Sequence, residues 1–319
     1  MHILQTKMTL LLVALFAIIY AAVVMIGSAI GVGGFYFYLI IAVGMMFFQY
    51  MIGPKLVEWS MRVRYVNRAE YPVLYAMIED QARRANIPMP RVAVSAVPIP
   101  NAFAFGRGPK DGRVCVTEAI IRLLTEDELK AVIGHEITHI KNRDVLTITL
   151  LSVIPMIMYR LAWHFWFFGN DRRDRDNTAL IGLAAFLFYF ITNLLVLYAS
   201  RIREYFADRG SIELGNKPSV LATALYKLVY GSARIGKHTL KEAEGFKAFF
   251  VNDPSRAYNE IRELSQIDID KSGTIDPDEL ALLKSKTIQL TFGDRMLEAL
   301  STHPNMLKRI KQLSELEVA

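Results

Sequence analysis

The chain has 319 residues, 53% of them hydrophobic and 21% charged, with a net charge of +6. That balance is too apolar for an ordinary soluble protein and too charged for a pure membrane bundle, so it predicts membrane spans joined to a soluble part. The basic excess lacks a stripe of interleaved aromatics, which excludes a nucleic-acid binder and fits cytoplasmic-side Lys and Arg. Cys115, the single cysteine, excludes an intrachain disulfide and a cysteine-based metal site.

Met1 to Lys7 is a short head. Residues 8–30 carry no charge and are long enough to cross a bilayer, and too long for the apolar core of a cleavable signal peptide. Gly31 to Gly34 is a turn, and Phe35 to Ile52 is a second apolar run; together they predict a transmembrane hairpin over 1–52 that Gly53-Pro54 closes. Lys55, Arg62, Arg64 and Arg68 follow, while the turn between the runs has no positive charge. The positive-inside rule places the N-terminus and the chain after Ile52 in the cytoplasm.

From Glu70 to Ala85 apolar residues recur at helical spacing, and Pro88 and Pro90 lie beyond the helix end. Arg91 to Ala96 alternates and predicts a strand. The proline-rich stretch Pro98 to Gly106 suits only a sheet edge, Gly108 to Gly112 is a turn, and Val114 to Thr117 is the returning strand. Thr125 and Glu128 form a capping box that starts the next helix. On that helix His135 and His139 stand four apart, so both imidazoles face one point where a Zn²⁺ could sit. Glu136 lies beside that point and can take the proton of a water the metal activates; this is the H-E-x-x-H pattern of zinc peptidases.

Lys141 to Asp144 is a polar collar before a third apolar run, Leu146 to Phe168, in which Arg160 and His164 are expected to snorkel to the outer surface. Asn170 to Asn177 is a short loop with three Arg and three Asp, which strains the positive-inside rule because the topology places it outside. Ala179 to Ala199 is the fourth span and completes a second hairpin over 146–199. The helix continues past it through Glu204 and Asp208, four apart on one face. Beside a two-histidine site these acids supply a carboxylate ligand and an acid to orient a histidine. Residues 217–250 read as amphipathic helix broken at Gly231, Gly236 and Gly245, and Asn252-Asp253-Pro254 starts another helix.

Asp268, Asp270, Ser272, Thr274, Asp276 and Glu279 then fall at positions one, three, five, seven, nine and twelve of an EF-hand loop, with Gly273 at six and Ile275 at eight. The pattern predicts a possible Ca²⁺ site, although such loops usually come in pairs and one is found. The predicted architecture is an α-rich membrane protein with four transmembrane helices and a cytoplasmic α+β zincin-like catalytic domain. Its catalytic part spans 53–145, with a small sheet and the His135 helix. A cytoplasmic helical part spans 200–319, with the further carboxylates and the 268–279 loop.

The sequence resembles the HtpX membrane metallopeptidases, relatives of the CAAX prenyl proteases. The resemblance covers most of the chain. It rests on Pro88-Met89-Pro90-Arg91-Val92, Asn101-Ala102-Phe103-Ala104, Val116-Thr117-Glu118, His135-Glu136-x-x-His139 with Lys141-Asn142-x-Asp144, Glu204-x-x-Ala207-Asp208, His303-Pro304 and Arg309-Ile310. It implies one zinc per subunit, held by His135, His139 and the glutamate matching Glu204, and an endopeptidase of the cytoplasmic membrane that clears misfolded membrane proteins. The 268–279 loop departs from the family pattern. Glu136 is then the general base, His303 the candidate oxyanion donor, Asp208 the acid behind a histidine, and Asn101, Ala102 and Phe103 a strand to which an extended substrate adds. The rival readings are a site-two-type intramembrane protease, a membrane-anchored calcium sensor without catalysis, and an inactive scaffold. Lys130, Lys141, Arg143 and Asp144 flank the zinc motif and weigh against the first; Glu136 together with Glu204 weighs against the second.

Overall fold

The protein is described by a computed structural model over residues 35–144, 146–148, 175–233, 266–285 and 291–316, with single positions at 151, 155, 158, 159, 162, 260, 261 and 264. In chain order come α1 (Phe35–Ser60), β1 (Val63–Tyr65), α2 (Pro72–Ala85), β2 (Arg91–Ser95), β3 (Ala102–Phe105), β4 (Arg113–Thr117), α3 (Glu118–Leu123), α4 (Glu126–Lys141), α5 (Arg175–Glu213), α6 (Pro218–Ala233), α7 (Pro277–Ser285), α8 (Phe292–Ala299) and α9 (Met306–Ser314). The chain divides into two units, residues 1–52 with 146–202, and residues 53–145 with 203–319.

In the first unit the apolar stretch of α5 keeps Leu180, Leu183, Phe186, Leu187, Phe190 and Ile191 exposed. Water would penalise such a surface, and lipid would not. Among the described residues one helix, Leu180–Glu213, is long and apolar enough to cross a membrane. The expected span over 8–30, most of that over 146–168, residues 170–174 of the expected loop, Arg160, His164 and the segment 234–259 lie outside the described residues, while residues 175–177, expected in that loop, open α5. Four spans are therefore an expectation of which the described structure contains one.

The second unit is built on a four-stranded sheet of order β1-β2-β4-β3. β2 and β4 are parallel, Val92 opposite Val114, and β1 and β3 flank them antiparallel. Both faces are buried, by the period-two rule of a strand. Val92, Val94, Val114 and Val116 face the main core, while Ala93, Phe103, Phe105 and Cys115 face a smaller one with Val57, Met61 and Ile99. That smaller core explains a departure from expectation. Gly53-Pro54 does not end α1, which continues to Ser60 with Pro54 inside it. A proline there forfeits one helical hydrogen bond, but continuing the helix buries Val57 and Met61 against the sheet. β1 went unread in the sequence because three residues in a basic stretch carry no periodic signal.

Gly231 does not break α6 either. A Cβ there would lie 2.8 Å from Leu123 Cδ2 and 3.2 Å from Pro100 Cγ, so the glycine is a point of close approach within a continuous helix. The capping box at the start of α4 forms in both directions: Glu128 N–H donates to Thr125 Oγ1, and Thr125 N–H donates to Glu128 Oε2 at 3.0 Å. Lys227 of α6 donates to the other Glu128 oxygen at 2.7 Å, which ties α6 to the start of α4.

Candidate active site

α4 and the polar end of α5 cross at two glycines. A Cβ on Gly210 would stand 2.3 Å from Thr138 Cγ2, and one on Gly134 would stand 2.5 Å from Asn216 Nδ2 and 2.9 Å from Ser211 Oγ. Ser211 donates across the crossing to the Ala131 carbonyl at 2.6 Å. Because no side chain intervenes, the helix backbones approach closely, and residues one turn away on each helix meet. His135 and His139 on α4 face Glu204 and Asp208 on α5.

The imidazoles are edge-to-face, with His135 Nε2 and His139 Nε2 only 3.1 Å apart. Glu204 Oε2 is 3.5 Å from His135 Nε2, and Glu204 Oε1 is 3.6 Å from His139 Nε2. The opposite ring nitrogens are committed elsewhere. His139 Nδ1 donates to Asp144 Oδ2 at 2.5 Å, and His135 Nδ1 lies 2.9 Å from Asp208 Oδ1, bent off the ring N–H axis. Protons on the Nδ1 atoms leave both Nε2 lone pairs pointing at one spot beside a carboxylate. Glu204 Oε2 is buried and has no hydrogen-bond partner among the described residues. Three electron-pair donors converge, and two neutral nitrogens with one carboxylate suit a borderline divalent metal. The residues fit a metal.

Electrostatics lead to the same place. Burial lowers the pKa of His135, but the adjacent Asp208 and Glu204 carboxylates outweigh it and lift the pKa to about 10. The two carboxylates therefore favour positive charge at this point. Asp144 is buried, which acts to raise its pKa, yet Arg203 and His139 bring it below the usual carboxylate value. Arg203 Nε lies 3.1 Å from Asp144 Oδ1. Arg309, wholly buried, donates to Asp208 through Nε at 2.8 Å and Nη2 at 2.6 Å, and its Nη1 is 3.3 Å from Glu204 Oε2. A bidentate guanidinium fixes the plane of Asp208 and offsets a second buried carboxylate.

Glu136 sits beside this cluster. Its Oε2 accepts from Ala104 N–H at 2.7 Å, a backbone group that edge strand β3 turns away from β4. Burial raises the Glu136 pKa, and the two histidines oppose the rise. His303 is buried, with Nδ1 3.4 Å from Glu204 Oε2. Asn101, Ala102 and Phe103 are also buried; Ala104 is the half-exposed residue of β3. Any peptide added there would meet backbone rather than these side chains.

Of the sequence-predicted residues, His135, Glu136, His139, Glu204, Asp208 and His303 thus come together. Asp268, Asp270 and Glu279 form a separate cluster, while Ser272, Thr274 and Asp276 bond within their own loop. Arg203, Asp144 and Arg309 had no assigned role. Asp144 reaches His139 because Arg143 adopts a left-handed φ of 55° just past the end of α4, which turns the chain back on the helix. No spacing signal announces that turn, and Arg309 is 101 residues from its partner Asp208.

Residues 68–317 match the profile of peptidase family M48. The chain is 51% identical over 226 residues to a protease HtpX homolog of Methanothermobacter thermautotrophicus, covering 71% of this chain and 86% of the relative. It is 35% identical over 275 residues to a protease HtpX homolog of Moorella thermoacetica, covering 84% and 80%. Among solved structures it resembles the crystal structure of S. mikatae Ste24p, with a TM-score of 0.51 at 15% identity over 98% of this chain and 67% of that one, a likeness of fold.

Proposed function

The chain belongs to peptidase family M48, and on that premise we propose that it is a zinc endopeptidase of the cytoplasmic membrane that cleaves misfolded or damaged membrane proteins on the cytoplasmic side. Family membership makes it a membrane metallopeptidase, a hydrolase of polypeptides. The observation that supports metal-dependent hydrolysis is the convergence of His135, His139 and Glu204 with Glu136 beside them; the substrates and the side of the membrane rest on the resemblance and the charge pattern.

His135, His139 and Glu204 would hold the zinc, with Asp208 and Asp144 holding the rings in the required tautomer. When bound, zinc supplies Lewis acidity that polarises a peptide carbonyl and brings the pKa of water toward neutrality. Glu136 takes a proton from the attacking water and returns it to the leaving amine. Its burial favours that exchange, because a carboxylate with a raised pKa keeps the proton long enough to deliver it. Ala104 N–H holds one Glu136 oxygen in place meanwhile. His303 donates to the oxygen that gains negative charge. An extended substrate lies along β3 and is recognised through backbone groups, which suits an enzyme for unfolded chains of many sequences.

The test is Glu136→Gln in the purified full-length protein. Zinc content should stay at one per chain, since the ligands survive, while casein cleavage falls by about 10²-fold or more. Cleavage within about threefold of wild type would remove Glu136 from the mechanism. Stoichiometric zinc in Glu204→Ala would mean that another residue supplies the third ligand.

A further inference from the structure

The Asp268–Glu279 loop packs against α6 and shares no ligand with the peptidase site. Asp268, Asp270 and Glu279 each present a carboxylate oxygen, all within 4.8 Å of one another. Asp268 and Glu279 are each 6% exposed. Among the described residues none of the three pairs with a Lys, Arg or His. Asp268 Oδ2 accepts from the Tyr226 hydroxyl at 2.7 Å and from Gly273 N–H at 3.1 Å, but Oδ1 is buried with no hydrogen-bond partner among the described residues. Buried like charges this close repel, and an unpartnered buried carboxylate oxygen is costly. A cation inside the loop removes both penalties. Because the donors are all oxygens on a chain that bends through left-handed Lys271 (φ 59°) and Gly273 (φ 80°), the cation is a hard one, and the ligand spacing is that of calcium.

A lone loop leaves the backbone of its middle residue without the partner a second loop would offer. Ile275 is 1% exposed, so its N–H and C=O must be satisfied within the protein. One hydroxyl does both. Thr223 Oγ1 accepts from Ile275 N–H at 2.9 Å and donates to Ile275 C=O at 3.0 Å. Thr223 and Tyr226, three apart on α6, therefore grip the loop at its middle and at its first ligand. The next residue, Lys227, grips Glu128 at the start of the His135 helix.

We propose that Asp268–Glu279 is a calcium site that works as a single loop because Thr223 and Tyr226 of α6 stand in for a paired loop. Asp268, Asp270 and Glu279 supply the charge, and Ser272, the Thr274 carbonyl and Asp276 complete the oxygen set. Glu279 also accepts from Ile269 N–H at 2.6 Å and from Asp276 N–H at 3.3 Å, while Asp276 Oδ1 accepts from Glu279 N–H at 2.8 Å and so caps α7. Glutamine can keep the bond to Ile269 N–H and the cap that Asp276 makes, but it loses the second acceptor oxygen and the charge.

The experiment uses the full-length, zinc-loaded protein in detergent, titrated with calcium and followed by calorimetry and thermal unfolding. Binding is read independently of proteolysis, so its outcome does not depend on the peptidase mechanism. One calcium per chain and a rise of a few degrees in Tm are expected. Glu279→Gln should abolish the rise with zinc content unchanged. Thr223→Val should weaken calcium about tenfold, through the lost Ile275 partners, whereas Thr223→Ser keeps the hydroxyl and wild-type binding. No calcium heat at about 10⁻³ M overturns the site, as does a full Tm rise in Glu279→Gln. Unchanged affinity in Thr223→Val, or a loss in Thr223→Ser, overturns the role of α6.

Discussion

Asp144 and Asp208 each take Nδ1 of one imidazole and so decide which nitrogen faces the centre. Asp144 in turn is held by Arg203, and Asp208 by Arg309. Removing the charge behind His139 should therefore loosen the metal without touching a ligand. Asp144→Asn is expected to lower zinc affinity by roughly 10–100-fold, measured by competition with a chromophoric chelator, and to lower the Tm of the metal-free protein as well, because the partly buried Arg203 loses its charge partner. Unchanged affinity would mean that the turn at Arg143 holds His139 by itself.

Helix contacts set the distances that those side chains need. At the α4–α5 crossing Thr138 cannot move aside, because its hydroxyl donates to the Gly134 carbonyl at 2.9 Å. Gly210→Ala should therefore force the helices apart, destabilising the fold by an overpacking cost of about 1–3 kcal/mol, read as a lower Tm, and reducing zinc occupancy with it. A stable variant with full zinc would show that the crossing can shift without disturbing Glu204. α2 is tied to α4 by Asp80, whose carboxyl is lowered to about 2, first by Lys130 and then by Arg83 against the effect of burial. Its folded pKa lies below the unfolded one. The stabilisation is thus present above the ordinary Asp value near 4 and disappears as pH falls toward about 2. Asp80→Asn should unfold at a lower temperature than wild type at pH 6, and the difference should close between about pH 4 and pH 2. A gap that persists at the acid end would assign Asp80 a role other than charge.

At the scale of the whole molecule, the exposed apolar face of α5 and the family relatives make this a membrane protein, and its orientation can be measured. Lys110 and Lys271 are exposed positions in the unit that holds the cluster of His135, His139 and Glu204. Cys115 is fully buried, and burial raises its thiol pKa, so it gives little background even before Cys115→Ser. An impermeant thiol reagent should leave Lys110→Cys and Lys271→Cys unmodified in intact cells and modify both once the membrane is opened. Modification of Lys110→Cys in intact cells would put the active site outside.

What the sequence determined alone is local. His135, Glu136 and His139 share a helix face because of a 3.6-residue period, Thr125 and Glu128 cap that helix across three residues, and Gly273 sits where the loop must turn. Each depends on neighbours in the chain, so spacing is enough to read it. Tertiary structure decided the rest. It carried α1 through Pro54 because Val57 and Met61 had a sheet to cover. It kept α6 intact through Gly231 because Leu123 packs there. It turned Arg143 so that Asp144 meets His139, brought Arg309 to Asp208, and gave Ile275 a partner in Thr223. These contacts join residues far apart in sequence or hang on a single backbone angle, and their energies depend on what is buried with what, which no periodicity records.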